Sequence, residues 1–116
     1  MNIIDHSDEE IFDLANQLWQ SLVKSSNDGN YADFVKGFSD SLMRGLNEVE
    51  VGRQFTNSEL SRNLSDDFDT LGIIRRGEHV TVLYRQRSTT RDGEWLGRLV
   101  LGYEDDQVMI FGASIF

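Results

Sequence analysis

The last third of the chain limits the fold more than any other feature. Residues 79–88, 94–103 and 107–116 each concentrate β-branched, aromatic and aliphatic side chains, and short polar turns at Asp92-Gly93 and Asp105-Asp106 separate them. Strands joined by such turns run antiparallel to their neighbours. Upstream of about residue 65 the texture is helical. Helices first and a meander last predict an α+β fold, with N-terminal helices packed on an antiparallel sheet of about four strands. A chain of 116 residues has the length of a single domain spanning 1–116.

Composition narrows the setting. There is no cysteine, which removes disulfides and thiolate metal sites and suits a reducing compartment. The start, Met1-Asn2-Ile3-Ile4-Asp5-His6, has neither the basic nor the apolar region of a secretion signal. No apolar stretch approaches the roughly 18 residues of a membrane span. A cytoplasmic protein with no membrane partner is expected. The net charge of −9 is lopsided: residues 1–70 carry 14 acidic and 5 basic side chains, whereas residues 71–116 carry 6 of each. An acidic helical half repels phosphate backbones and disfavours nucleic acid as a partner.

Ser7 and Glu10 have capping-box spacing. Ile11, Leu14, Ala15, Leu18, Trp19, Leu22 and Val23 then fall on one helical face, predicting a helix from about residue 7 to Ser26. A second helix is expected after Asn30, with Tyr31, Phe34, Val35, Phe38 and Leu42 as its apolar positions, fading before Gly45. Asn47 with Glu50 offers another cap, and Val49, Phe55, Leu60 and Leu64 suggest one broken helix or two short ones. Ser65-Asp66-Asp67-Phe68-Asp69 reads as an acidic loop and residues 71–76 as the first strand.

If Asp92-Gly93 is a two-residue turn, Tyr84 lies opposite Leu101, Val82 opposite Tyr103 and Arg87 opposite Arg98. The turn at Asp105-Asp106 likewise sets Tyr103 against Val108, Leu101 against Ile110 and Val100 against Phe111. One face then collects Val80, Val82, Tyr84, Trp95, Leu99, Leu101, Tyr103, Val108, Ile110 and Phe116. The other collects Leu83, Arg85, Arg87, Leu96, Arg98, Val100, Met109, Phe111 and Ile115. Both are largely apolar, and helices can cover only one face of so small a sheet. The second set is therefore the expected interface of a homodimer. Arg87 facing Arg98, with Arg85 nearby, leaves two readings: the stems lie on the sheet and send their heads to water or to Glu94 and Glu78, or the arginines hold an acidic group of a partner or an anionic ligand.

The order of elements resembles the nuclear-transport-factor-2-like superfamily, the cystatin-like α+β cone. The likeness is carried by the amphipathic helix of residues 9–22, the aromatic helix in Gly29-Asn30-Tyr31-Ala32-Asp33-Phe34, and the closing strand Val108-Met109-Ile110-Phe111-Gly112-Ala113-Ser114-Ile115-Phe116. It implies a sheet curved around the helices, a cup and frequent homodimers. Trp19, Tyr31, Phe34, Phe38, Tyr84, Trp95 and Tyr103 are the candidate lining of a ligand-binding pocket in that cup. Members include isomerases, dehydratases, cyclases and non-catalytic modules, so the resemblance leaves activity open.

No residue-by-residue match to the aspartate base and tyrosine oxyanion donor of a ketosteroid isomerase is present, and no catalytic residue is assigned. His6 and His79 lack metal-ligand spacing, and Asp66, Asp67 and Asp69 lack the glycine and terminal glutamate of a calcium loop. Neither metal nor cofactor is expected. Three functions follow: a non-catalytic homodimerising module for an apolar or anionic ligand or a protein; a small isomerase, dehydratase or cyclase using an apolar cup; or an acidic immunity-type protein neutralising a basic partner.

Overall fold

A computed structural model describes residues 3–45 and 59–116. The expected cap at Asn47 and Glu50, and the apolar positions Val49 and Phe55, lie outside the described residues. Helix α1 (Asp8–Asp28) begins at a capping box: the Ser7 hydroxyl accepts from the Glu10 amide at 3.2 Å, and the Ser7 amide donates back to Glu10 Oε1 at 3.1 Å. It runs two residues beyond the expected Ser26 and ends where Gly29 takes a left-handed φ of 66°. Ile11, Ala15, Trp19 and Leu22 form its buried stripe, each large side chain contributing about 1.5–3 kcal/mol on burial.

The second expected helix is two short ones, α2 (Tyr31–Phe34) and α3 (Asp40–Arg44), capped by the side chains of Asn30 and Ser39. The helix cannot continue between them because residues 37–39 serve the sheet. Gly37 O accepts from the Ile110 amide and the Ser39 amide donates to Ile110 O, both at 2.8 Å, so Phe38 sits buried in the core.

Four antiparallel strands follow, β1 (Asp69–Arg76), β2 (His79–Gln86), β3 (Trp95–Glu104) and β4 (Gln107–Ile115), in the order β1-β2-β3-β4. The helices pack on one face of this curved sheet, giving the expected α+β class. Val80, Val82, Tyr84, Leu99, Leu101 and Ile110 point inward and are buried with the α1 stripe. Ahead of α1 a short helical turn (Ile3–Asp5) buries Ile3 in the same core. Arg75 of β1 fastens it, donating to the carbonyl of His6 at 3.0 Å and pairing with Asp8 at 2.6 Å.

Two register expectations are corrected. Asp92-Gly93 is not a two-residue hairpin turn: β2 leaves β3 at Gln86, and residues 87–94 form a longer connection. Its first residues are drawn off the ladder by the segment before β1. The Ser65 amide donates to Arg87 O and the Thr89 amide to Asn63 O, both at 2.8 Å, and Leu64 bridges Ser88. Tyr84 therefore faces Gly97, Val82 faces Leu99, and Arg98 faces Leu83 in place of Arg87. The slip from Leu101 to Gly97 is an even number of residues, so inward and outward sets survive it.

The Asp105-Asp106 turn is as expected, with Tyr103 opposite Val108 and Leu101 opposite Ile110. Past Ile110, however, a bulge makes Gly112 the partner of Val100 where Phe111 was expected. One extra residue reverses everything downstream. Ile115 turns inward against the core, and Phe116 turns outward, exchanging the faces expected for them.

Candidate functional site

The outer face of the sheet is the surface that no described helix covers. Reading across from β1 to β4, it presents Ile74, Thr81 and Val100, then Leu83, Arg98 and Ser114, then Arg85 and Leu96 beside Phe116. Ile74, Leu96 and Phe116 are 47%, 41% and 67% exposed, and Leu83, Val100, Met109 and Phe111 are half-buried. At the turn end Gly102 has no side chain, and the His79 and Phe111 rings close over it with centroids 4.7 Å apart. A Cβ on Gly102 would lie 2.7 Å from His79 Cδ2 and 2.9 Å from Phe111 Cε1. All eight residues expected at the interface, Leu83, Arg85, Arg87, Leu96, Arg98, Val100, Met109 and Phe111, have at least part of their surface accessible.

The arginines divide into two environments. Asp69 Oδ2 receives Arg87 at 2.7 Å and Arg85 at 3.2 Å, and Arg85 also approaches Glu94 at 3.4 Å. The hydrogen bond from Arg87 and then that from Arg85 hold the Asp69 carboxyl below its ordinary range, and Asp69 in turn raises the Arg87 guanidinium. Arg98 stands apart, its guanidinium carbon 5.9 Å from the centre of the Phe116 ring. Among the described residues no carboxylate pairs with Arg98. A cation with free donors inside an apolar patch can take up a carboxylate or another anion by forked hydrogen bonds.

The seven candidate pocket residues occupy different places. Trp19, Phe38 and Tyr84 are core side chains. The Trp19 indole stacks on the Tyr84 ring at 4.8 Å and donates from Nε1 to Gln86 Oε1 at 2.8 Å. Gln86 is fully buried and passes its own donors to the carbonyls of Ser65 and Arg87 at 2.7 and 2.9 Å. Burial raises the Tyr84 phenol well above its ordinary range, and its hydroxyl donates to Asn16 Oδ1 at 3.0 Å. Phe34 meets Phe38 edge to face at 5.4 Å. The half-buried Trp95 lies beneath Arg91 at 6.0 Å. Tyr31 is half-buried, and its enclosed hydroxyl has no hydrogen-bond partner.

Tyr103 joins a chain of contacts with no signal in the sequence. His6 Nε2 is 2.9 Å from the Tyr103 hydroxyl, and His6 Nδ1 is 3.3 Å from Glu10 Oε2. The two rings come from positions 97 residues apart, so no local pattern announces their meeting. Among the described residues no group of three acidic or histidine side chains is placed to hold a metal ion, and no helix is long and apolar enough to cross a membrane. No family model, curated protein or solved structure matches the chain.

Proposed function

We propose that this protein is a non-catalytic, nuclear-transport-factor-2-like module that homodimerises through the outer face of its sheet and binds a ligand or protein partner in that state. One observation carries the proposal: on the outer face Ile74, Leu96 and Phe116 stand exposed around Leu83, Arg98 and Val100. Four strands spaced by about 4.8 Å and 8 to 10 residues long span a footprint on the order of 500 Å². With side-chain relief this approaches the roughly 800 Å² per partner of a stable complex. A second copy suits the face because an isologous contact needs no surface beyond the one present.

The cone-fold assignment is supported by the order of elements, a long amphipathic helix followed by a four-strand meander. The Trp19–Tyr84 stack fills the space between helix and sheet, which favours binding over an enclosed reaction site. Sedimentation velocity from low to high micromolar concentration tests the dimer. The intact chain should sediment as a dimer, and Leu96→Glu should shift it to monomer with an unchanged circular-dichroism spectrum. A monomeric intact chain at every concentration would overturn the proposal.

A further inference from the structure

The sequence holds two Asp-Gly pairs, Asp28-Gly29 and Asp92-Gly93. Such a pair is chemically labile, because a residue without a Cβ lets the aspartate side chain close on the following amide nitrogen. The reaction asks three things of the fold: a carboxyl free to turn, an amide nitrogen not engaged as a donor, and a main chain that can move. Both pairs are exposed, so exposure does not separate them. Hydrogen bonding does.

Asp28-Gly29 is held on every count. Asp28 is the last residue of α1, and its carboxylate meets Lys24 Nζ at 3.1 Å. The Gly29 amide donates to the carbonyls of Ser25 and Ser26 and closes the helix. The guanidinium carbon of Arg62 lies 3.1 Å from where a Cβ on Gly29 would stand, and Arg62 Nε donates to Asn27 O at 3.2 Å. This end of the helix must unwind before the pair can react.

Asp92-Gly93 has none of these restraints. It lies in the connection between β2 and β3, outside both strands. Among the described residues the Asp92 carboxylate has no hydrogen-bond or ionic partner, and neither residue joins a main-chain hydrogen bond. The ties of the connection fall on either side of the pair. The Thr90 and Arg91 amides donate to Ser88 Oγ, both at 3.2 Å, and Glu94 approaches Arg85 at 3.4 Å. Gly93 takes a φ of 115°, so the fold itself requires the glycine that makes the pair labile.

We propose that Asp92-Gly93 is a modification site at which Asp92 converts spontaneously to isoaspartate. The Gly93 nitrogen attacks Asp92 Cγ. A C–N bond forms, and the carboxyl hydroxyl leaves with the amide proton as water. Water then adds to the five-membered imide. Opening at Cγ restores aspartate, whereas opening at the α-carbonyl leaves the chain running through Cγ with a free α-carboxylate. Mass is unchanged, the main chain gains one carbon, and no oxidant or co-reactant other than water takes part.

The test incubates the intact protein in mildly acidic buffer made with heavy-oxygen water, because ring closure uses the neutral carboxyl. Each imide opening leaves one heavy oxygen behind. Cleavage after glutamate releases residues 79–94, in which electron-transfer fragmentation distinguishes isoaspartate from aspartate. Isoaspartate and label should accumulate at Asp92 at least tenfold faster than at Asp28. In urea the two pairs should react at similar rates, since neither then has a fold to restrain it. Asp92→Glu should abolish the product, because closure would need a larger ring. Equal rates at the two pairs in the native protein, a difference that persists unchanged in urea, or an unlabelled Asp92 in native protein overturns the assignment. None of these readouts depends on the outer-face dimer.

Discussion

At Gly97 the inward surface of β3 has no side chain, and the Trp19 indole uses the vacancy. A Cβ there would lie 2.5 Å from Trp19 Cζ2 and 2.9 Å from Cη2, closer than packed atoms tolerate. Gly97→Ala should therefore push the indole off Tyr84 and strain its bond to Gln86, costing about 1–3 kcal/mol; urea denaturation should show a lowered midpoint with an unchanged slope. Much of this residue-scale picture was legible beforehand. Helical spacing put Trp19 on the apolar side of its helix, and strand alternation put Tyr84 on the inner face. Gln86 was not legible, because a buried amide depends on finding acceptors and donors, here the adjacent Arg87 together with Ser65 and Trp19, which lie 21 and 67 residues away in the chain. The His6–Tyr103 contact was hidden for the same reason.

At the scale of elements, turns decided what could be foreseen. Asp105 and Asp106 both adopt positive φ, 53° and 62°, the two left-handed positions of a tight hairpin that glycine fills with least strain. Asp106→Gly should stabilise the hairpin, relieving a left-handed cost of about 1–2 kcal/mol against a glycine entropy cost of about 0.5–1 kcal/mol, visible as a higher melting temperature. Asp92-Gly93 carries the stronger hairpin signature yet forms no such turn, because residues 63–65 compete for the backbone of residues 87–89. Gly93 still takes a φ of 115°, so its glycine is used within the longer connection. The slip preserved the faces by parity, and the later bulge did not. A bulge is set by how a strand bends over its neighbours, which periodicity does not record. That is why Phe116 joined the outer surface and Ile115 left it.

For the molecule as a whole, α+β class and the split between a sheet face packed on the helices and one that no described helix covers were readable from patterning. The chain contains no proline, so refolding at submicromolar concentration, followed by Trp19 and Trp95 fluorescence, should lack any isomerisation phase of tens of seconds. A slow phase that grows with protein concentration would instead report association. Long-range contacts tie the helix to the sheet: Trp19 reaches Gln86 across 67 residues. During synthesis α1 consequently leaves the ribosome roughly 3–13 s before the strands that will cover it, at about 5–20 residues per second. Through that interval an apolar stripe of Ile11, Ala15, Trp19 and Leu22 has no sheet to rest on. The 14 carboxylates of the first 70 residues belong to the part of the chain that waits, and their mutual repulsion keeps neighbouring nascent chains apart until the meander arrives.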